Sequence, residues 1–292
     1  MPGNRGGGRS GGPATREVQV SKKLSWLLRH GAEKEGLQLD SKGYLNVQDV
    51  LNNRNLRSLK VTLPELKEIV TTNAKQRFHL ALAESRSGKK DSGDGDKASA
   101  IDALSAISTM PEDYLIRANQ GHSLTSVSAS DLLEPITLEA GNLPQQAIHG
   151  TTRAAWPLIV ASGGLKTMGR NHIHFAAGLP AGFASSSAVA SANGIADADT
   201  GELSKTEADT SAVISGLRNT SSILIYLDVA KTLGAGVKLW RSANGVILSE
   251  GNVEGIVSVD LFARVEERGA QALLVENGKV VRDAPAAWSK KR

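Results

Sequence analysis

The 292-residue chain contains no cysteine. That excludes disulfides, thiolate zinc sites, iron–sulfur clusters and a cysteine nucleophile. No run of 18 apolar residues occurs, so a membrane span is not expected. The opening MPGNRGGGRSGGP has no apolar stretch, so a secretory signal is not expected either, and the expected setting is intracellular, cytoplasm or nucleus. There is no G-x-x-x-x-G-K-[ST], which argues against phosphoryl transfer on a P-loop. No G-x-G-x-x-G follows a strand, and no G-x-S-x-G appears, which argues against a Rossmann dinucleotide site and an α/β-hydrolase elbow. Charge of one sign is not in large excess: Lys+Arg 34 against Asp+Glu 30 leaves a formal +4. What remains is a chain long enough for two domains, with 40% hydrophobic residues to build their cores.

Residues 1–16 are Gly-rich with Arg5, Arg9 and Arg16, and read as a disordered basic arm, either solvated or laid on nucleic acid. Residues 17–130 read as one lobe. Val20, Leu24, Leu27 and Leu28 fall at helical spacing over 18–30, with Ser21 as N-cap and Gly31 as stop. Residues 46–51 and 63–70 give two more helical signals, the second introduced by Thr62 and Pro64. Alternation over 77–82 and 114–118 predicts a strand pair, and three helices with such a pair suggest a winged helix. Residues 84–106, rich in Ser, Gly, Asp and Lys, read as a flexible insertion. Residues 131–280 change to short strands with Gly turns, at 147–150, 172–176, 223–229, 237–240, 246–249, 256–260 and 272–275, with a helix at 153–161. A second insertion is expected at 181–210 and a basic tail at 281–292. The fold class expected is α+β, a winged-helix lobe followed by a mainly β lobe.

Candidate chemistry gathers at a few histidines and arginines. Arg29-His30 sets a fixed cation beside a titratable group at a helix end, where complementing the helix dipole is the plain alternative. Arg117 and Arg170 lie at strand positions or ends, without a neighbouring acid in sequence. Together the four suit a dianionic phosphate, because arginine offers a planar bidentate fork. His172 and His174 alternate, so they share one face; that spacing fits two hydrogen-bonding groups in a cleft or, less well without a third ligand, a zinc ion. His79 stands alone and reads as structural. From residues alone the chain is a two-domain, phosphate-seeking protein linked to nucleic acid, with no reaction named.

Four ordered segments go further: Leu24-Ser25-Trp26-Leu27-Leu28-Arg29-His30, Arg117-Ala118-Asn119-Gln120-Gly121-His122-Ser123, His149-Gly150-Thr151 and Gly169-Arg170-Asn171-His172-Ile173-His174-Phe175. With Ile214-Ser215-Gly216-Leu217-Arg218 and Gly245-Val246-Ile247-Leu248-Ser249-Glu250-Gly251, they resemble the NAD-dependent RNA 2′-phosphotransferases of the KptA type, including the fungal tRNA enzymes. The resemblance implies an N-terminal winged-helix RNA lobe and a C-terminal NAD lobe of ADP-ribosyltransferase type. It implies removal of the splice-junction 2′-phosphate from ligated tRNA. The phosphate attacks C1″ of the nicotinamide ribose and expels nicotinamide; the 2″-OH then attacks phosphorus in the RNA–phospho–ADP-ribose. The products are 2′-OH RNA and ADP-ribose 1″,2″-cyclic phosphate, with NAD as co-substrate and no metal.

By the same resemblance Arg29, His30, Arg117 and Arg170 form the essential set, the arginines clamping the 2′-phosphate and His30 contacting it with a role in proton transfer. His149, Gly150 and Thr151 correspond to the strand motif that holds NAD, with Gly163, Gly164 and His174 lining the same cleft and Arg218 meeting the NAD phosphates. Lys22, Gln120, His122 and Ser123 are expected on the RNA side, Lys22 and Lys23 being equally compatible with plain solvation. The partners implied are NAD and an RNA with an internal 2′-phosphate; no membrane is implied and a monomer is expected. Two other readings stay open: an ADP-ribosyltransferase that modifies nucleic-acid phosphate ends and stops at the adduct, and a non-catalytic RNA-binding protein. The intact arginine set opposes the first, and the intact His149 and 169–175 motifs oppose the second.

Overall fold

The computed structural model describes residues 14–83, 108–180, 217–218 and 220–289. The insertions expected at 84–106 and 181–210 lie outside these residues, as does the arm except for its last three positions. Those three belong to the folded chain. Thr15 caps helix α1 (Arg16–Trp26), its side chain accepting from the Val18 N–H. Arg16 forks onto Glu65 at 2.7 and 2.9 Å. Ser21 is therefore not the N-cap: it is buried inside the helix. The buried apolar periodicity begins at Val20, one turn after the helix does, because the first turn, Val18 included, is exposed.

The chain divides into two compact units at Ala118/Asn119, earlier than the boundary after residue 130 read from the sequence. Bonds in the 119–124 segment give the reason. The Asn171 N–H donates to the His122 carbonyl and its side-chain amide to the Leu124 carbonyl, both at 3.0 Å. The segment after Ala118 is thus tied to the second unit.

In the first unit α1 runs into a π-helical turn, Leu27–Gly31. Strand β1 (Tyr44–Asn46), helices α2 (Val47–Asn52), α3 (Arg54–Arg57) and α4 (Leu63–Thr72), and strands β2 (Phe78–Leu82) and β3 (Tyr114–Ala118) follow. Asn46 and Thr62 cap α2 and α4, each side chain accepting a backbone N–H of the first turn. The sheet order is β1-β3-β2, antiparallel throughout. Leu24, Leu27, Leu28, Val50, Leu56, Leu66, Phe78 and Ile116 are buried at its helical side. The third strand, β1, went unread in the sequence because three residues leading straight into a capped helix show no alternation.

The second unit is built from β4 (Glu134–Ile136), β5 (Ile148–Thr151), β6 (Gly164–Lys166), β7 (Ile173–Phe175), β8 (Ile223–Leu227), β9 (Lys238–Arg241), β10 (Ile247–Gly251), β11 (Ile256–Ser258), β12 (Phe262–Glu267), β13 (Ala272–Glu276) and β14 (Lys279–Val280). They form a five-stranded sheet, order β14-β13-β12-β8-β5, a four-stranded sheet, order β4-β9-β10-β7, and the pair β11-β6, all antiparallel. The chain is α+β, as expected. Ile223-Leu224-Ile225-Tyr226-Leu227 is apolar without alternation because both faces of β8 are covered: Ile223, Ile225 and Leu227 join the main core, Leu224 and Tyr226 a smaller cluster with Ile148 and Leu217.

Two expectations need correction here. The helix expected from 153 begins at Trp156, because Arg153 is drawn to the buried Glu267 and its N–H donates to Ser222 Oγ. The stretch from 281 is more than a basic tail: Ala284 and Trp288 pack on the main core, and Arg153 lies 6.0 Å over the Trp288 ring. No helix among the described residues is long and apolar enough to cross a membrane.

Trp156 is 1% exposed and sits in the main core. Trp156→Ala should lower the unfolding free energy by about 3–5 kcal/mol. Alanine at the fully exposed Val253 should change it by less than about 0.5 kcal/mol. Denaturant unfolding of the two variants checks this.

Candidate functional site

In the first unit the π turn carries Arg29 and His30, both half-buried. They line one cavity of about 550 Å³ together with Lys22, Ser25 and Trp26 of α1 and Lys75 and Arg77 after α4. A π turn is wider than an α turn, and such bulges recur at functional sites because they re-aim side chains. Here it carries Arg29 and His30 on from the cavity wall that α1 begins. Lys23, by contrast, is engaged in the scaffold, its Nζ donating to the Asn55 carbonyl and Ser58 Oγ at 3.2 Å. Glu17 is the carboxylate in the cavity wall. Arg77 donates to Asn73 Oδ1 at 3.1 Å, and burial pulls its pKa below the usual arginine value, against the opposing charge of Glu17.

Arg117 is on β3, which packs against the π turn. The three strands place Tyr44, Arg117 and His79 in one cross-strand row. Side chains in such a row share a face of the sheet. The Arg117 guanidinium lies 4.7 Å over the Tyr44 ring, and Nη1 reaches the Lys42 carbonyl at 3.5 Å. Tyr44 OH is in turn 2.8 Å from His79 Nδ1, with the two rings edge to face. His79 is thus structural, as read from the sequence, and what it supports is the aromatic partner of Arg117. The sequence signal that could have revealed Tyr44 was its place in the unread strand β1.

In the second unit a chain of hydrogen bonds links Gln120, His174 and His149. His174 Nε2 lies 2.9 Å from the Gln120 amide, and its Nδ1 donates to the His172 carbonyl at 3.0 Å. His149 Nδ1 donates to the His174 carbonyl at 2.9 Å, and the ring stands edge-on to Phe175. A carbonyl only accepts, so His149 carries its proton on Nδ1 and presents Nε2 as an acceptor. Burial pushes its pKa below the ordinary 6.5, against the pull of the His174 carbonyl, and keeps it neutral. Burial also lowers His172, more than Glu250 at 3.6 Å restores. His122 is buried and Ser123 half-buried in the segment bound to Asn171. Arg170 is exposed on the anchored turn that precedes β7, its N–H bonded to the Thr167 carbonyl at 3.2 Å. Thr151 ends β5, and its carbonyl accepts from the Ser222 N–H at 2.9 Å. Arg218 is exposed, its carbonyl accepting from the Ser221 N–H.

The glycines serve packing. A Cβ on Gly150 would strike Leu217 and Ser221, so its missing side chain admits protein atoms. A Cβ on Gly164 would strike the backbone of Val257 and Ser258, its antiparallel partners. Gly163 is at φ +80 in the turn after the Trp156–Ala161 helix, with open space where a side chain would go. No group of three or more His, Asp or Glu among the described residues is arranged to hold a metal ion.

A sequence model described as RNA 2′-phosphotransferase, Tpt1 / KptA family, matches residues 15–251. The chain is 34% identical over 269 residues to tRNA 2′-phosphotransferase 1 of Danio rerio, covering 90% of this chain and 92% of that protein. It is 33% identical over 256 residues to tRNA 2′-phosphotransferase of Saccharomyces cerevisiae, covering 87% and 85%. Against tRNA 2′-phosphotransferase 1 of Homo sapiens it is 34% identical over 247 residues, covering 85% and 74%.

His149 and His172 give a pH signature. Below about 6.5 the unfolded chain takes up protons that these rings refuse when folded. Their contribution to stability is therefore complete above that pH and lost as pH falls through it toward the lowered folded values. Denaturation midpoints across about pH 5–8 should decline on the acid side, with a shallower decline in His149→Gln. A flat profile for the native chain would contradict the two depressed histidines.

Proposed function

The chain belongs to the RNA 2′-phosphotransferase family of the Tpt1/KptA type, and from that premise we propose that it transfers the splice-junction 2′-phosphate of ligated tRNA to NAD. The products are 2′-OH RNA, nicotinamide and ADP-ribose 1″,2″-cyclic phosphate. The observation that carries this reading is the Arg29–His30 pair in the π turn, lining a cavity with Lys22, Lys75 and Arg77. A dianionic phosphate monoester is the group such a wall suits, through charge and through bidentate guanidinium geometry.

Each unit has its own part. The first is the RNA lobe, of winged-helix type, its helices and three-stranded sheet supplying Arg29, His30 and Arg117. The second is the NAD lobe, of ADP-ribosyltransferase type, and supplies Arg170. NAD supplies the ribose acceptor and a neutral leaving group, nicotinamide, so holding the phosphate in line matters more than acid catalysis. Arg29, Arg117 and Arg170 hold the phosphoryl oxygens and stabilise the charge that grows on them when phosphorus is attacked. His30 contacts the same phosphate and takes the role of proton transfer.

The neutral His149 of the second unit fits an uncharged sugar. His149 Nε2 is an acceptor with a fixed tautomer, suited to a ribose hydroxyl, and His174 with Gln120 holds the carbonyl that fixes it. Thr151 and Arg218 are assigned to NAD as well. For Gly150, Gly163 and Gly164 the roles are indirect, through strand packing and the turn. Gln120, His122, Ser123 and Lys22 are assigned to RNA, His122 through the backbone bond that anchors the Arg170 turn. No step calls for a metal.

The test is an RNA carrying one labelled internal 2′-phosphate, incubated with and without NAD in the presence of EDTA. Label should move to ADP-ribose cyclic phosphate only with NAD. A stable RNA–ADP-ribose adduct would favour the ADP-ribosyltransferase alternative, and bound RNA with no label moved would leave a binding protein. Arg117→Ala should retain its far-ultraviolet dichroism and lose at least about 10²-fold in turnover. Turnover like that of the native chain would remove Arg117 from the phosphate.

A further inference from the structure

The cavity beside Arg29 and His30 holds more than a phosphate needs. Trp26 lines it and is 39% exposed, an unusual position for so large an apolar side chain. Its indole is also fixed. A Cβ on Gly31 would come within 2.6 Å of the ring carbons Cη2 and Cζ3, so the ring rests on the bare backbone of Gly31. An aromatic ring braced on protein and open to a cavity is pre-organised for stacking, because little rotamer freedom is lost when a ligand arrives. Lys75 and Arg77 line the same cavity, and Arg77 is steadied by its bond to Asn73. Cations beside an exposed aromatic ring form the pattern that binds an unpaired nucleotide: charge for the backbone, a ring face for the base. The volume, about 550 Å³, lies within the range of about 300–1,000 Å³ typical of small-ligand sites.

We infer that this cavity seats the nucleotide next to the 2′-phosphate, its base stacked on Trp26 and its phosphodiester held by Lys75 and Arg77. The inference rests on the proposed transfer of an RNA 2′-phosphate, which puts the phosphate at Arg29 and His30 and hence a neighbouring nucleotide within the same cavity. It gives the chain a means of selecting a locally unstacked junction, because a base held in a duplex stack offers no free face to the indole.

The experiment measures binding without NAD, so that nothing turns over. A fluorescent RNA with one internal 2′-phosphate is titrated against the native chain, Trp26→Ala and Trp26→Phe. The same RNA is prepared with an abasic site on the 5′ or the 3′ side of the phosphate. Trp26→Ala should weaken binding about tenfold, and Trp26→Phe should restore most of it. One abasic position should weaken the native chain by a similar factor and leave Trp26→Ala unchanged. The inference is overturned if Trp26→Ala binds as tightly as the native chain, or if its loss multiplies with the abasic loss at both positions. A second measurement is independent of the folding of the Trp26 variants: Lys75→Ala and Arg77→Ala should each lower the slope of log K against log salt by about one. Unchanged slopes in both would overturn the backbone contacts. If the native chain moves no label with NAD, the phosphotransferase reading fails while the stacking result stands by its own numbers. If label moves but the losses multiply, the nucleotide seat alone fails.

Discussion

The constraint on which the first unit depends is that several cations must be held near one another in a partly buried wall. A buried or half-buried guanidinium needs partners, and a carboxylate is the strongest one, but a carboxylate also spends the charge. Arginines elsewhere in the chain take that route: Arg16 on Glu65, Arg54 on Glu35, Arg153 on Glu267 and Arg264 on Glu266. The partners given to Arg117 and Arg77 include groups of another kind, the Tyr44 face and the Lys42 carbonyl for the first, the Asn73 amide for the second. These orient a guanidinium through dipoles and a ring quadrupole, and Arg77 also feels the opposing charge of Glu17. Tyr44 can do this only because its hydroxyl is tied to His79 across the central strand.

The second unit answers a different requirement with different chemistry. His149 is a neutral acceptor in a dry setting, kept neutral by burial and kept in one tautomer by the His174 carbonyl. That suits hydroxyl recognition and not a phosphate dianion. The charged ends of this unit are handled apart, at Glu267. Burial alone would raise that carboxyl, yet hydrogen bonds from the Ala270 and Gly269 N–H groups and from Arg153 hold it below the usual range. This fixes the loop after β5, where His149 and Thr151 lie, to the end of β12.

How much of this was legible in the sequence follows the range of the forces involved. Helices α2 and α4 were readable because caps and periodicity are local, and the strand pair β2–β3 because it alternates. Strands β1, β6 and β12 were not: two are three residues long, and β12 ends in Glu266-Glu267, whose burial is met by Arg264 of the same strand and by Tyr226 and Arg153 from elsewhere. The candidate residues Arg29, His30, Arg117, His149 and His174 stood out by motif. The supports of the first three did not, because Tyr44, His79, Trp26, Lys75 and Arg77 reach Arg29, His30 and Arg117 through strand register and cavity shape. The end of the first unit misled for a similar reason: the run Asn119–Leu124 continues β3 in sequence, yet its hydrogen bonds go to Asn171.

The turn at Leu27–Gly31 shows how closely local backbone and candidate chemistry are joined. The turn that carries Arg29 and His30 follows directly on α1, whose residues already line the cavity. The cavity takes consecutive pairs from α1 as well, Ser21-Lys22 and Ser25-Trp26, and the π turn continues that wall with Arg29 and His30. The same turn brings Gly31 beneath the Trp26 ring, where any side chain would collide with it. The glycine that reads in sequence as a helix stop therefore does further work as the floor of an indole. Arg29, His30 and Trp26 thus meet one cavity at the junction of α1 and this irregular turn, with Gly31 bracing the ring.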